Sequence, residues 1–289
     1  MPIDQERLLA TPPVEIPFCY TARDTMLHGL GIGLGMDPLD SEQLKYVYGD
    51  NLKVFPTFSA VLGWVDLTRD TRFYDPSWGL DSNRIVVGEV IVSQLRPLPI
   101  AASGVARFSF AEIVDKGPGK AALIRTRKEI FDEAGGNLAT LDTWLFVRGA
   151  GGFGGQKDGG PDPVAMPERT RDTAFTQPTP ENLALLYRLS LGDDNALHAD
   201  PAHARRVGFD RPILHGIASF SISVHAVLRE VLDYEPGRYR MGKARFVNPV
   251  YPGDTLSTDI WIDQNTATFR TRAKERDVLV MDKGHVTFT

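Results

Sequence analysis

Three side chains with acid, amide and base chemistry are crowded into one short segment of the C-terminal half. Asp193, Asn195 and His198 lie within six positions, and a second histidine, His215, stands directly before Gly216. A carboxylate and an imidazole together can activate a water molecule, and an N–H group at a helix N-terminus can hold a carbonyl oxygen. This combination predicts an enzyme.

The two acid/base residues converge only if the chain between them is irregular. Asp193 and His198 are five positions apart, which places them about 140° apart on a helix and on opposite faces of a strand. Gly192 and Asp194 favour a turn in this segment. From the residues alone, the alternative is a polar surface turn with an incidental histidine, and both interpretations stay open.

Gly216 precedes a long apolar segment with helical spacing that begins at Ile217. The first turn of a helix has unpaired N–H groups and partial positive charge, and a glycine lets a ligand oxygen approach closely. We therefore expect an oxyanion hole at Gly216. The alternative is a glycine required by tight helix packing.

The other histidines and Asp200 favour structure over metal binding. Asp200 as N-cap, Pro201 at the first helical position and Gly208 after the end describe a short capped helix that carries His203. The spacing of His198, Asp200, His203 and His215 matches no strong metal signature. We predict neither a metal nor an organic cofactor.

The elements around this segment follow a pattern that occurs twice, as a weak internal repeat. In each half a proline leads into an apolar helix, Pro56 before residues 58–65 and Pro212 before residues 217–231, and strands follow. The predicted strands are Arg84–Val92, Gly104–Val114, Ala121–Phe131, Leu138–Val147, Lys243–Val247, Thr255–Ile262, Ala267–Lys274 and Val278–Phe288. One apolar helix followed by antiparallel strands is an α+β pattern, with a sheet curled around each helix.

A segment rich in glycine and proline separates the two halves. We predict an N-terminal repeat over residues 1–150, a linker over 151–180 and a C-terminal repeat over 181–289. The run GAGGFGG at its start could cradle a phosphate, but no Lys-Ser/Thr pair follows it, so a linker is the better interpretation.

The first repeat lacks the acid/base pair. The position five after Asp24 is Gly29, and Pro56 is followed by Thr57 where the second repeat carries His-Gly. We expect one active copy, with the other shaping the binding surface. For Glu89, in an apolar strand of the first half, we expect a structural role first. It is either a buried partner for a basic group or an outward-facing strand residue.

Composition excludes several classes of partner. The chain of 289 residues has a net charge of -5 and no run of Lys or Arg, which argues against nucleic acid and anionic membranes. No window approaches the roughly 20 apolar residues of a membrane span, and no signal peptide or peroxisomal address is evident, so we expect a cytoplasmic protein. Cys19 is the only cysteine, which excludes an internal disulfide and predicts a small buried residue.

The segment YRLSLGDDNALHADPAHARRVGFDRPILHG resembles the hydratase 2 motif of the MaoC-like (R)-specific enoyl-CoA hydratases. The likeness extends to YTARDTMLHGLGIG, FPTF, VGEV, RGAGGFGG and ARFVNPVYPGDTL, and so to nearly the whole chain. It implies a double hot-dog fold with an active C-terminal copy, a degenerate N-terminal copy that binds the acyl chain, and a homodimer.

The resemblance also implies roles for single residues. Asp193 and His198 would polarise the catalytic water, Asn195 would support them, and the Gly216 N–H would hold the thioester oxygen. Further substrate contacts are expected at four positions: His215, Phe209, Pro212 and Glu89. Two departures from the family pattern are Ala196, where proline is common, and Val87, where histidine is common.

The implied reaction is reversible hydration of trans-2-enoyl-CoA to (3R)-3-hydroxyacyl-CoA, a step of fatty acid metabolism. One alternative is a hot-dog thioesterase, which would direct the water to the thioester carbon. Another is a non-catalytic acyl-CoA-binding subunit, against which the intact motif of the second half argues. The acyl group, and CoA against acyl-carrier protein, stay open.

Overall fold

The fold is a single curved sheet of ten antiparallel strands, seen in a computed structural model that describes residues 2–64, 78–81, 84–190 and 192–289. The strands are β1 Val14–Tyr20, β2 Ile85–Gln94, β3 Ala102–Asp115, β4 Ala122–Asp132, β5 Asn137–Val147, β6 Thr173–Pro178, β7 Tyr239–Phe246, β8 Thr255–Asp263, β9 Thr266–Ala273 and β10 Val278–Phe288. Their order across the sheet is β1-β3-β4-β5-β2-β7-β10-β9-β8-β6.

Short helices and one long helix accompany the sheet. They are α1 Gln5–Leu9, α2 Ala22–Gly31, α3 Ser41–Leu44, α4 Leu183–Tyr187, α5 Pro201–Arg206 and α6 Gly216–Glu230. Among the described residues, 3-10 helices cover Pro56–Val61, Arg188–Ser190, Ala196–His198 and Pro236–Arg238. In the part of the chain that the structure describes, no helix is long and apolar enough to cross a membrane.

The two halves of the chain join through strands β2 and β7. Their register pairs Glu89 with Arg245 and Ser93 with Met241, so the sheet continues from one half into the other. All eight predicted strands are present, with ends that differ by a few residues. The helices and antiparallel strands confirm the α+β class.

Helix α6 lies in the concave side of the second half of the sheet and packs against strands β6 to β10. Every residue from Ala218 to Leu228 is buried, as expected of a helix that is apolar on most sides. Its serine hydroxyls donate to backbone carbonyls four residues earlier in the chain. Ser221 Oγ, for example, donates to the Ile217 carbonyl at 2.7 Å. The buried part of α6 thus begins two residues after its first residue, Gly216.

The predicted long helix of the first half is wrong for the residues that the structure describes. Residues Pro56–Val61 form a buried 3-10 helix, and Leu62 is already extended at φ -65 and ψ 135. The buried Lys128 side chain of β4 donates to the Ala60 and Leu62 carbonyls at 2.7 and 2.8 Å and so replaces the next helical turn. Val65, the last residue of the predicted stripe, lies outside the described residues.

Two strands escaped prediction, and they form the two edges of the sheet. Strand β1 contains Pro17, which an edge strand tolerates because one side of it needs no hydrogen bonds. Strand β6 lies at the end of the predicted linker and pairs with β8. Cys19 of β1 is exposed, so the prediction of a buried cysteine is wrong, because side chains alternate along this edge.

The glycine-rich loop after β5 binds a carboxylate of the protein itself. Asp115 accepts from the Gly152 and Gly154 N–H groups at 2.6 and 2.8 Å, and from Gly117 at 2.8 Å. These donors are the ones that a phosphate would need. The loop therefore anchors the start of the linker to the end of β3.

Candidate active site

The carboxylate of Asp193 is buried and held in an irregular turn after α4. Its Oδ1 accepts from the Asn195 N–H at 2.8 Å, and the Asn195 Oδ1 in turn accepts from the Leu197 N–H at 3.0 Å. Arg188 clamps the same turn, since its Nε donates to the Asp193 carbonyl at 3.0 Å. The turn leaves Asp193 only 6% exposed. Asn195 thus supports the carboxylate through the backbone.

The ring of His198 is fixed by a backbone carbonyl. Its Nδ1 lies 2.9 Å from the Ile213 oxygen, which can only accept, so Nδ1 carries the proton and Nε2 carries a lone pair. Burial lowers the pKa of His198 below its ordinary value, and the hydrogen bond to Ile213 only partly offsets that effect. His198 is therefore a neutral base at physiological pH.

His215 joins the other two side chains from the far side of the loop. Its ring stacks on that of His198, with centroids 3.8 Å apart and 25° between the planes. Its Nε2 lies 3.5 Å from Asp193 Oδ2. Burial first, and then the charges of His198 and Arg188, lower the pKa of His215 to about 2, so this ring is neutral.

The N-terminus of α6 stands beside this cluster. His215 is the N-cap residue and Gly216, which is exposed, begins the helix. A side chain at Gly216 would place Cβ 3.2 Å from the Phe246 ring, which is tight. The N–H groups of the first helical turn have no hydrogen-bond partner within α6. They point out of the end of the helix that stands beside the cluster. Both interpretations of the glycine, packing and access for an oxygen, agree with this geometry.

The three side chains satisfy a distance test for a metal ion but not an orientation test. One atom each of Asp193, His198 and His215 lie within 4.8 Å of one another. A metal lies in the plane of each imidazole that binds it, about 2.0–2.1 Å from the nitrogen. Two rings stacked at 3.8 Å with 25° between their planes have no such common point. As arranged, these residues do not fit a metal.

The remaining predicted residues lie apart from this cluster. Phe209 and Pro212 belong to the loop between α5 and α6, where the Phe209 N–H donates to the Ala204 carbonyl at 3.0 Å. Glu89 is buried opposite Arg245, on the face of the sheet that points away from α6. Burial raises the pKa of Glu89, and the charges of Lys243 and Arg245 oppose this effect.

The short helix predicted after the cluster is confirmed. Helix α5 begins at Pro201, and Asp200 accepts from the Ala202 N–H at 2.8 Å as its N-cap. This carboxylate is therefore used in capping.

Sequence reasoning missed the residues that position the cluster. Tyr187 contacts the ring of His215 in a tilted arrangement, with centroids 5.1 Å apart and 51° between the planes, and it is fully buried. The Ile213 contact uses a carbonyl, which every residue carries and no sequence pattern marks. Tyr187 stands six positions before Asp193, and a tyrosine so near was the only available signal.

Behind Tyr187, a buried polar chain connects the first half to α6. His28 of α2 lies 5.7 Å from the Tyr187 ring, and its Nε2 lies 3.4 Å from Thr57 Oγ1. Thr57 is 2.6 Å from Ser221 of α6. Both halves of the chain therefore form the walls around the cluster.

A cavity of about 740 Å³ lies elsewhere, between the linker and the outer face of the second half of the sheet. Its lining includes Val164, Lys243, Trp261 and His285. None of its lining residues belongs to the cluster of Asp193, His198 and His215, which carries the side chains suited to acid/base chemistry.

Comparison with protein families covers both halves of the chain. Residues 18–149 match the MFE-2 hydratase 2 N-terminal domain, and residues 163–283 match the MaoC like domain. The chain is 34% identical over 96% of its length to enoyl-CoA hydratase 2, peroxisomal, of Arabidopsis thaliana, covering 93% of that protein. It is 36% identical over 98% of its length to the enoyl-CoA hydratase ChsH3 of Mycobacterium tuberculosis, covering 98% of it.

Solved structures confirm the fold. A MaoC-like dehydratase from Phytophthora capsici superposes with a TM-score of 0.87 at 29% identity, covering 99% of each chain. Full-length peroxisomal multifunctional enzyme type 2 from Drosophila melanogaster gives 0.81 at 29% identity, over 96% of this chain and 48% of that one. A Mycobacterium tuberculosis protein described as a double hotdog gives 0.58 at 15% identity, over 96% of each chain. The predicted double hot-dog architecture is thereby confirmed.

Proposed function

The chain belongs to the MaoC-like hydratase 2 family of hydro-lyases that act on enoyl-CoA, and on that premise we propose the residues and stereochemistry of its reaction. Asp193 and His198 hold one water molecule, which adds to trans-2-enoyl-CoA to give (3R)-3-hydroxyacyl-CoA. The observation that carries this proposal is the clustering of a neutral imidazole, His198, whose Nε2 keeps its lone pair, with the buried carboxylate of Asp193 next to the N-terminus of α6.

The water bonds to Asp193 Oδ2 and to His198 Nε2. As its oxygen attacks C3, His198 accepts one of its protons, and negative charge moves through C2 onto the thioester oxygen. His198 then returns a proton to C2, so one water has been added and the residue is neutral again. Both parts of the water arrive from one face of the alkene, because one residue, His198, takes the proton from the water and returns it to C2.

The Gly216 N–H holds the thioester oxygen while it carries this charge. A positioned donor of this kind stabilises a transition state by roughly 3–4 kcal/mol. The low pKa of His198 suits the step, because a base that is already protonated could not accept the proton. The reaction needs no organic cofactor.

The test follows the ultraviolet absorbance of the conjugated thioester. Purified protein with trans-2-enoyl-CoAs of short and long chain should remove this absorbance, and chiral analysis should give the (3R) alcohol. An (S) product would refute the stereochemistry. Release of free thiol from a saturated acyl-CoA would instead identify a thioesterase, and ligand binding without turnover would identify a binding subunit.

Two coarser properties complete the proposal. We propose that the chain works as a homodimer, which light scattering of the purified protein would check. We also propose a cytoplasmic location, although relatives include proteins named as peroxisomal. Cell fractionation would decide the compartment.

A further inference from the structure

His215 is a buried, neutral histidine that contacts both Tyr187 and His198 but takes no part in the hydration step. We infer that His215 is a positioning residue, which holds the face of the His198 imidazole and shields it from water so that Nε2 stays aimed at the reacting water. The inference rests on the proposed function. His215 itself exchanges no proton with the substrate.

The first support is the stacking geometry. The His215 ring is stacked on that of His198, at 3.8 Å and 25°, and it also contacts the tilted ring of Tyr187, at 5.1 Å and 51°. The hydrogen bond from Nδ1 to Ile213 fixes one edge of the His198 ring but leaves the ring free to swing about that bond. A flat ring packed on its face removes this freedom.

The second support is the cost of keeping a histidine here. His215 is 4% exposed, and within the described residues neither of its ring nitrogens has a hydrogen-bond partner. A buried polar group without a partner destabilises the fold, so an apolar residue would serve packing better. The polar edge of the His215 ring faces the catalytic carboxylate. Its Nε2 lies 3.5 Å from Asp193 Oδ2, so the same ring contacts both catalytic side chains.

The third support is electrostatic. The titratable and charged groups that face His215 are Asp193 and His198 of the turn, Tyr187 of α4 and Arg188 of the following 3-10 helix. Burial first, and then the charges of His198 and Arg188, lower the pKa of His215 to about 2. The ring is therefore uncharged and adds no repulsion when His198 becomes a cation during the step.

The test compares His215→Ala, His215→Phe and, as a matched control, His203→Ala on the partly exposed side of α5, each measured for kcat and KM across pH. His215→Ala should lower kcat on the order of 100-fold, the effect of a catalytic group displaced by about 1 Å, with KM changed less than about two-fold. The acid limb of its rate–pH profile should move to higher pH, because water then solvates the His198 cation and raises the pKa of His198. His203→Ala should match the wild type in all three quantities.

His215→Phe restores the flat face and the cover, so it should recover about ten-fold of the lost kcat and return the acid limb to its wild-type position. The loss that remains reports the contact of Nε2 with Asp193. If His215→Ala does not fold, His215→Leu replaces it, because leucine fills the space without a flat face and should be as slow as alanine.

Three results would overturn the inference: kcat of the alanine variant within about three-fold of wild type, a loss confined to KM, or a phenylalanine variant no better than alanine. Each is read only against a wild type that hydrates enoyl-CoA. A wild type without hydration would refute the proposed function instead, so the two failures are distinct.

Discussion

The Nδ1 atom of His198 donates to the carbonyl oxygen of Ile213 at 2.9 Å, and this one bond decides which nitrogen can act as a base. It commits the lone pair to Nε2, in a side chain that clusters with Asp193 and His215. Since the donor is a side chain and the acceptor is backbone, the loop that ends at α6 orients the base as well as the oxyanion donor. The following predictions depend on that arrangement.

Removing either member of the acid/base pair should abolish most hydration. We expect Asp193→Asn and His198→Ala each to lower kcat by about 10²–10⁴-fold, the usual contribution of general acid/base catalysis, with the fold retained. Enoyl-CoA absorbance and circular dichroism measure the two quantities. The matched control is Asp194→Asn, an exposed neighbour, which should hydrate at the wild-type rate. Near-normal rates in Asp193→Asn would refute the assignment.

The N–H group of Gly216 can be removed without breaking the helix. Proline is favoured at the first position of a helix, and His215 already has the extended conformation that precedes proline, at φ -56 and ψ 137. Gly216→Pro should lower kcat about 10²–10³-fold, because the oxyanion donor is lost. Gly216→Ala keeps the N–H and adds a similar Cβ near Phe246, so it is the control and should lose less. Equal losses in both variants would assign Gly216 to packing alone.

The rate should tolerate mild acid. Burial lowers the pKa of His198 below its ordinary value of 6.5, and the base works only while neutral. The midpoint of the acid limb of kcat/KM, which reports the free protein, should therefore lie below pH 6.5. Initial rates at enoyl-CoA concentrations well below KM measure this limb. A midpoint above 6.5 that disappears in a His198 variant with residual rate would contradict the burial effect.

Stability should fall with acid for a related reason. Burial lowers the pKa of His28 from 6.5 to about 3, so below pH 6.5 the unfolded chain binds a proton that the folded chain does not. The free energy of unfolding should then drop by about 1.4 kcal/mol per pH unit for this residue, between pH 6.5 and 3. His28→Phe should remove that part of the slope, as denaturant unfolding at several pH values would show. An unchanged slope would mean that His28 is protonated in the folded state.

Chelation should leave the rate unchanged. The His198 and His215 rings are stacked with 25° between their planes, and rings in this arrangement cannot share one ion. We expect full activity after prolonged treatment with a strong chelator and metal-free buffer exchange. Loss of activity that returns with added zinc, but not with added calcium, would show that a ring turns to bind metal.

Local sequence patterns were sufficient to predict much of the secondary structure and the candidate site residues. The spacing of apolar residues after Gly216 predicted α6, and Asp200 with Pro201 predicted the start of α5, because helix periodicity and capping act over a few neighbouring residues. The turn residues around Asp193 indicated that the carboxylate and His198 could converge. The sequence also indicated that only the second half carries the acid/base pair, since this difference depends on which side chains are present.

Tertiary contacts decided the rest. Lys128 on β4 caps the carbonyls of Ala60 and Leu62, so the apolar stripe of the first half becomes a 3-10 helix and an extended chain. The Ile213 carbonyl selects the tautomer of His198, and Tyr187 packs against the ring of His215. These partners are backbone atoms or residues on other elements, and their positions follow from how the sheet and α6 pack. The residue types thus determined which chemistry is possible, and only packing set the distances and directions at which it can occur.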